Sequence, residues 1–446
     1  MMDASQPLSA QPSGPIPRSA VSSGVGLIGL LGLALFYAAA RIWHCDAPWV
    51  PIAGLAACGV PMIAWSLLID RVHRHPSTGI DWDGPPRSWR DACDTALVKL
   101  AGLWATWGVL ACCYALGRWY WQGDYLYAME VFSAALVPLV ALSILYVPWL
   151  DRRLIDREDG AWAAGHWLMT FGRDFDPALK PKLAEHARSW AIKGFFTAFM
   201  FSTLPGNWGE AIAASPAQMW DDPVKLAEAT IALMFLVDVS IGTVGYILTL
   251  RPLDAHIRSG NPFMQGWTAA LICYPPFILM NGGGPLDYGP GQMGWERILS
   301  DHPLLLPIWA FALIFLTACY AWATVAFGIR FSNLTYRGIL THGPYRFTKH
   351  PAYLAKNLYW WLAAIPMLTS TGWADGVRNT AILALISGVY VWRAKTEERH
   401  LLGADPAYRA YADWMAERGA ITKWLSRAAR LWTMRAANNV SAAPVD

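Results

Sequence analysis

A series of long apolar runs constrains the fold of this chain more than any other feature. About 20 apolar residues cross the hydrocarbon core of a bilayer as a helix, and most of the runs approach that length. They are 24–43, 48–69, 95–117, 129–150, 188–205, 226–250, 267–281, 303–328, 356–371 and 376–392. We therefore predict an all-α integral membrane protein with about ten transmembrane helices. For the short runs 267–281 and 356–371, a re-entrant or tilted segment is an alternative.

The composition agrees with this fold class. Of 446 residues, 55% are hydrophobic and 15% are charged, whereas soluble domains carry roughly 25% charged residues. The formal net charge of +3 is too small to indicate binding to nucleic acid. The seven cysteines contain no C-x-x-C pair, so we expect neither a disulfide framework nor a metal site.

Basic residues are concentrated in every second loop. The rich loops hold Arg71, Arg74, Arg87, Arg90, Arg152, Arg153, Arg157, Arg173, Lys180, Lys182, Arg251, Arg258, Arg330, Arg337, Arg346 and Lys349. The alternate loops hold Arg118, Lys225, Arg297 and Arg378. The positive-inside rule predicts that the rich loops and both termini are cytoplasmic. We expect the membrane to be a bacterial inner membrane.

A polar stretch, THGPYRFTKHPAYLAK (341–356), separates two of the apolar runs. Pro351 biases His350 away from helical geometry, which can place His350 and Tyr353 at the mouth of a span. The alternative is a basic connector that only obeys the positive-inside rule.

A second polar stretch, YVWRAKTEERHLLGADPAYRAYADW (390–414), follows the last run. Arg393 and Glu397 are four residues apart and share a helix face, and Glu398 follows directly. The simplest interpretation is a solvated ion pair worth a few tenths of a kcal/mol.

Together the two stretches resemble the isoprenylcysteine carboxyl methyltransferase family and the related membrane phospholipid N-methyltransferases. The family pattern is a G-x-Y turn, R-H-P-x-Y-x-G, one helical hairpin, and E-E-x-x-L with tyrosines downstream. Here it reads GPYRFTKHPAYLA, a hairpin, and EERHLLGADPAYRAY, within residues 331–418. Lys349 replaces the family's Arg, and Ala355 replaces its last Gly. The literal R-H-P at 74–76 lacks the Tyr and the Glu-Glu partner, so we interpret it as a coincidence.

This resemblance implies S-adenosyl-L-methionine as cofactor and a lipidic or prenylated substrate from the bilayer. The residues expected to line the cofactor are Arg337, Gly338, Ile339, Leu340, Tyr345, His350, Pro351, Ala352, Tyr353, Glu397 and Glu398. Arg393 would grip a substrate carboxylate with two parallel hydrogen bonds, and Arg393 and His350 are the expected catalytic residues. A carboxylate needs no general base, whereas an amine would, with His350 or Glu398 as candidates.

The resemblance also divides the chain. We predict a disordered tail (1–23), an N-terminal transmembrane bundle of unknown role (24–300), a methyltransferase-like catalytic domain (301–420) and a basic amphipathic helix and tail (421–446). The last segment would lie on the anionic inner leaflet, in contact with membrane lipids.

Several alternatives stay open. The substrate could be a prenylated cysteine carboxylate, another lipid acid or an amine head group. An NADPH-dependent sterol-type reductase carries a similar R-H-P-N-Y element, but here Ala352 replaces its Asn and Lys356 replaces the acid that follows. A non-enzymatic transporter is a third alternative. Asp238, near the middle of an apolar run, is either functional or a paired acid that packs one helix on another.

Overall fold

The computed structural model of the protein describes residues 15–45, 47–173, 175–213 and 222–424. The fold of these residues is mostly helical, with almost no sheet, as predicted. Within them, six helices are long and apolar enough to cross a membrane: Ser23–Ile42, Val50–Ile69, Trp89–Gly117, Leu126–Asp151, Pro223–Ile247 and Leu305–Arg330. The predicted number of about ten spans is not confirmed.

The helices are numbered in chain order. They are α1 (Ser23–Ile42), α2 (Val50–Ala64), α3 (Trp89–Gly117), α4 (Leu126–Asp151), α5 (Gly160–Met169), α6 (Lys180–Ala213), α7 (Pro223–Ile247), α8 (Met264–Leu271), α9 (Trp295–Ile298), α10 (Leu305–Phe327), α11 (Pro351–Ala364), α12 (Trp373–Ala404) and α13 (Pro406–Arg418). The π-helical turn Trp65–Ile69 continues α2. Two short strands, β1 (Ser259–Gly260) and β2 (Thr335–Tyr336), pair in antiparallel fashion.

The other four predicted spans differ from the six for identifiable reasons. The run 267–281 contains only the end of α8, whose 8 residues rise about 12 Å against the roughly 30 Å of a hydrocarbon core. The helix α11 has 14 residues and is also short. The helices α6 and α12 have 34 and 32 residues, so they are long enough to cross a membrane, but they are not apolar enough to be counted among the six.

The main apolar core lies where α1, α2, α6, α7 and α10 pack together. The helices α1 and α10 approach closely because α1 presents Gly26, at which a Cβ atom would lie 1.9 Å from the carbonyl oxygen of Val325. Leu340, directly before the polar stretch 341–356, and Tyr345, within it, belong to the same core. The core therefore supports one wall of the region to which the sequence motifs point.

A buried acid, Asp254, connects three loops next to this core. It accepts hydrogen bonds from Arg330 (2.8 Å), Arg258 (3.1 Å) and Ser77 (2.8 Å). Its neighbour His75, from the coincidental R-H-P, lies 3.4 Å away. Burial raises the pKa of Asp254, but Arg330, Ser77 and Arg258 together hold it below its usual value. The stabilisation is thus present above the unfolded pKa of about 3.9 and is lost as the pH falls through the lower folded pKa.

Arg337 fixes the segment between α10 and α11. Its side chain is buried and donates to the backbone carbonyls of Gly245 (2.9 Å), Phe331 (2.8 Å), Ile329 (2.9 Å) and Ala255 (2.7 Å). Arg330 in turn donates to the carbonyl of Arg337 (2.6 Å). One guanidinium thus joins the end of α7 to the loop that follows α10.

We expect Asp254→Ala to lower the thermal unfolding temperature of the purified protein in detergent. The substitution leaves the buried Arg330 without its carboxylate, and breaking such a pair costs about 3–5 kcal/mol. The matched control is Asp156→Ala, which removes an exposed partner of Lys182 and should cost about 1 kcal/mol or less. Equal unfolding temperatures for the two variants would contradict this account of the cluster.

Candidate active site

A cavity of about 180 Å³ lies between the two polar stretches that flank the hairpin of α11 and α12. Most of the predicted site residues line it: Arg337, Gly338, Ile339, Leu340, Tyr345, His350, Ala352, Tyr353, Arg393 and Glu397. The structure therefore brings together residues that are up to 60 positions apart, the Arg337–Glu397 separation. Two predicted residues, Pro351 and Glu398, do not line the cavity.

Pro351 is the first residue of α11, where its missing N–H costs no hydrogen bond. His350, directly before it, has φ −130° and ψ 60° and is outside the helix, as the sequence predicts. The ring of His350 is parallel to that of Tyr353, with centroids 5.7 Å apart. Pro351 thus starts the helix that presents these two rings. It does not line the cavity itself.

Glu398 joins the two stretches through charge. One of its oxygens, Oε1, lies 2.7 Å from Lys349 Nζ and 3.0 Å from His350 Nε2. Burial raises the pKa of Glu398, but His350 and Lys349 together hold it far below its usual range. A carboxylate held so strongly in its ionised form is a poor general base. Glu398 thus holds Lys349 and His350 in place and does not line the cavity, and its expected roles at the cofactor and as a base stay predictions.

Glu397, the neighbouring acid, faces the cavity. It accepts a hydrogen bond from the Tyr353 hydroxyl and lies 3.3 Å from Arg393 Nε. Arg393 is only 1% exposed, so the interpretation of these residues as a solvated ion pair is wrong. An ion pair whose arginine is fully buried at a cavity is costly to place there and indicates a role beyond stabilising the helix.

The two further hydrogen bonds of Arg393 go to residues outside the two stretches. Arg393 Nη2 donates to Asn333 Oδ1 (2.7 Å), and Nη1 donates to the Tyr274 hydroxyl (3.3 Å). The guanidinium also lies 5.0 Å from the ring centroid of Tyr353 and 5.3 Å from that of Tyr274. These contacts fix the plane of the guanidinium, while two of its five N–H groups remain for a ligand.

Several residues of the cavity wall are absent from the sequence-based prediction. They are Tyr274, Tyr320, Thr324, Asn333, Lys349, Lys356, Tyr390, His400, Leu401, Tyr408 and Tyr411, among others. Tyr408 and Tyr411 had a usable signal, since they are the tyrosines downstream of E-E-x-x-L. Tyr274 had none, because it lies 119 residues before the Arg393 that it contacts.

Asp238 lies behind this wall. The hydroxyls of Tyr320 (2.8 Å) and Thr324 both donate to its carboxylate. Both donors belong to α10, whereas Asp238 belongs to α7, so the acid joins two helices of the core. This geometry supports the alternative in which Asp238 packs one helix on another.

The chain's first described residues cover the outer side of the 337–342 segment. Ala20 N donates to the Ile339 carbonyl (2.8 Å), and the Thr341 hydroxyl donates to the Pro17 carbonyl (2.8 Å). Ser19 Oγ lies 2.8 Å from His342 Nδ1. Residues 17, 19 and 20 of the predicted disordered tail (1–23) thus have defined contacts with this segment, while residues 1–14 lie outside the described residues. Of the predicted amphipathic segment 421–446, residues 425–446 also lie outside the described residues.

Comparison with known proteins identifies a family match in the same part of the chain as the cavity. Residues 305–403 match the model of the isoprenylcysteine carboxyl methyltransferase (ICMT) family. No curated protein and no solved structure matches the chain. The match covers α10, α11 and α12 with the loops between them, which is the region that forms most of the cavity. The family match over residues 305–403 thus confirms the resemblance that the two motifs and their order predicted.

Proposed function

We propose that this chain is a membrane methyltransferase that uses S-adenosyl-L-methionine to methylate the carboxylate of a lipidic substrate. The observation that carries the proposal is the ion pair between the buried Arg393 and Glu397, which face a cavity inside the region that matches the family. The family match also favours this reading over a sterol-type reductase. By the positive-inside rule, the site would face the cytoplasm of a bacterial inner membrane.

The residues of the cavity fit the proposed cofactor. Ile339 and Leu340 offer apolar surface to a nucleoside, and Tyr345 and Tyr353 offer ring faces that attract a cation such as a sulfonium. Glu397 provides a carboxylate for the ammonium group of the methionine part. Gly338 has φ +104°, a conformation that other residues rarely adopt, and it lets the backbone turn beside Ala20.

The cofactor supplies a methyl group activated by its positively charged sulfur. The chain then needs only to bind, align and dehydrate a carboxylate that is already deprotonated at neutral pH. Arg393 would hold this carboxylate through its remaining N–H groups, with its plane fixed by Asn333 and Tyr274. Of the two candidate bases for an amine, Glu398 has a pKa held far below its usual range and does not line the cavity. His350 is the candidate base that lines it. This arrangement suits an acid substrate better than an amine.

We expect Glu397→Gln to weaken cofactor binding about tenfold or more, because the variant loses the charge that pairs with the ammonium group. The measurement is calorimetric titration of S-adenosylhomocysteine, the demethylated product, into the purified protein in detergent. The control is Glu417→Gln, which makes the same change at an exposed position of α13. Unchanged affinity in Glu397→Gln, or no binding to the unsubstituted protein, would contradict the proposed function.

We expect membranes containing the protein to transfer labelled methyl groups from the cofactor to lipid in a form that mild base releases as methanol. Esters hydrolyse under these conditions, whereas N-, S- and C-methyl groups and ethers do not. The control is a membrane with Arg393→Ala, in which the ester fraction should fall by about tenfold or more because the carboxylate loses its buried partner. Label that base does not release would point to a different acceptor, such as an amine head group.

A further inference from the structure

Lys356 lines the cavity beside the proposed carboxylate site, and the proposed mechanism does not use it. It follows Tyr353 by three residues on α11, so the two side chains share a helix face. Tyr390 and Arg393 repeat this spacing on α12. The rings of Tyr353 and Tyr390 lie 5.5 Å apart, so the two helices present two cations beside one aromatic pair.

The ammonium group of Lys356 lies among aromatic rings. Its Nζ is 5.1 Å from the ring centroid of Trp360, 5.7 Å from that of Tyr320 and 5.8 Å from that of Tyr390. Ring faces attract a cation but do not replace the oxygen acceptors that an ammonium with three N–H donors normally has. In the described part of the chain, no hydrogen bond or salt bridge reaches Nζ.

Asp238 does not serve as that partner. Burial lowers the pKa of Lys356, the charge of Asp238 opposes this, and the charge of Arg393 adds to it, so the pKa lies below its usual value. Asp238 and Lys356 form no salt bridge among the described residues. The oxygens of Asp238 instead accept hydrogen bonds from the hydroxyls of Tyr320 and Thr324. Glu397, the other acid at the cavity, is engaged by Tyr353 and Arg393. The donors of Lys356 therefore remain available to a ligand.

We infer that Lys356 determines specificity for an acid by binding the substrate carboxylate together with Arg393, an inference that rests on the proposed function. Arg393 holds the carboxylate from α12 and Lys356 from α11. In the transfer, a lone pair of a carboxylate oxygen forms the new bond to the methyl carbon. The carbon–sulfur bond breaks, and its electron pair stays on sulfur. No proton moves, and both products are neutral at the reacting atoms, so Lys356 acts through charge alone.

The same two cations would disfavour a protonated amine head group. Like charges held close together repel each other, and Glu397, the acid of the described cavity wall, already contacts Tyr353 and Arg393 and would pair with the ammonium group of the cofactor. The inference therefore commits to a lipid carboxylate and against a lipid amine.

The test compares three probes that share one prenyl chain: N-acetyl-S-farnesylcysteine, its carboxamide, and S-farnesylcysteamine. Each is titrated by calorimetry into the full-length protein saturated with S-adenosylhomocysteine. We expect the acid to bind about tenfold or more tighter than the amide, and the amine to bind most weakly. In Lys356→Met, which keeps the length of the side chain without its charge, this preference should fall about tenfold. Lys356→Arg should retain most of it.

Two controls separate the possible failures. Lys225→Met makes the same substitution at an exposed position of α7, away from the cavity, and should keep the acid-to-amide ratio. The affinity for S-adenosylhomocysteine in each variant reports whether the site is folded. Cofactor binding with an unchanged acid-to-amide ratio in Lys356→Met would overturn the role of Lys356 alone. Absence of cofactor binding in the unsubstituted protein would overturn the proposed function itself.

Discussion

The contact between the start of α11 and the charged end of α12 is the interaction on which the site depends. Glu398 holds Lys349 and His350, and one position earlier Glu397 holds Tyr353 and Arg393. Adjacent acids on a helix point in different directions, so one acid can bind the neighbouring segment while the other faces the cavity. A short hairpin thereby closes one side of the pocket.

The pocket also needs a rigid wall opposite the hairpin, and buried arginines provide it. Arg337 donates hydrogen bonds to four backbone carbonyls from two parts of the chain. Arg330 donates to the backbone carbonyl of Arg337 and is itself paired with Asp254. Irregular backbone near a membrane requires such partners, because carbonyls without them are costly away from water. The loop after α10 can therefore keep a non-helical shape, including the turn at Gly338, while facing a cavity.

The sequence predicted the parts of the site that are encoded locally. Pro351 marks the start of a helix that presents His350 and Tyr353, and the four-residue spacing puts Arg393 and Glu397 on one helix face. The structure places these four side chains around one cavity. The sequence did not predict Tyr274 or Asn333, because contacts over such separations leave no periodic signal. The count of about ten spans is not confirmed for a related reason: apolar runs report composition, whereas the end of α8 at Leu271 depends on local turns. The Glu-Glu motif names two neighbouring acids without giving the direction of each side chain, and in the structure Glu397 lines the cavity while Glu398 contacts Lys349 and His350.

The segment 16–20 has a consequence for biosynthesis. Ser19 and His342, which contact each other, are 323 positions apart, so a ribosome completes most of the polypeptide before the second partner exists. During that interval the early segment must stay hydrated beside the bilayer, with its polar groups bonded to water. The pocket thus receives its outer layer last, from residues that were translated first.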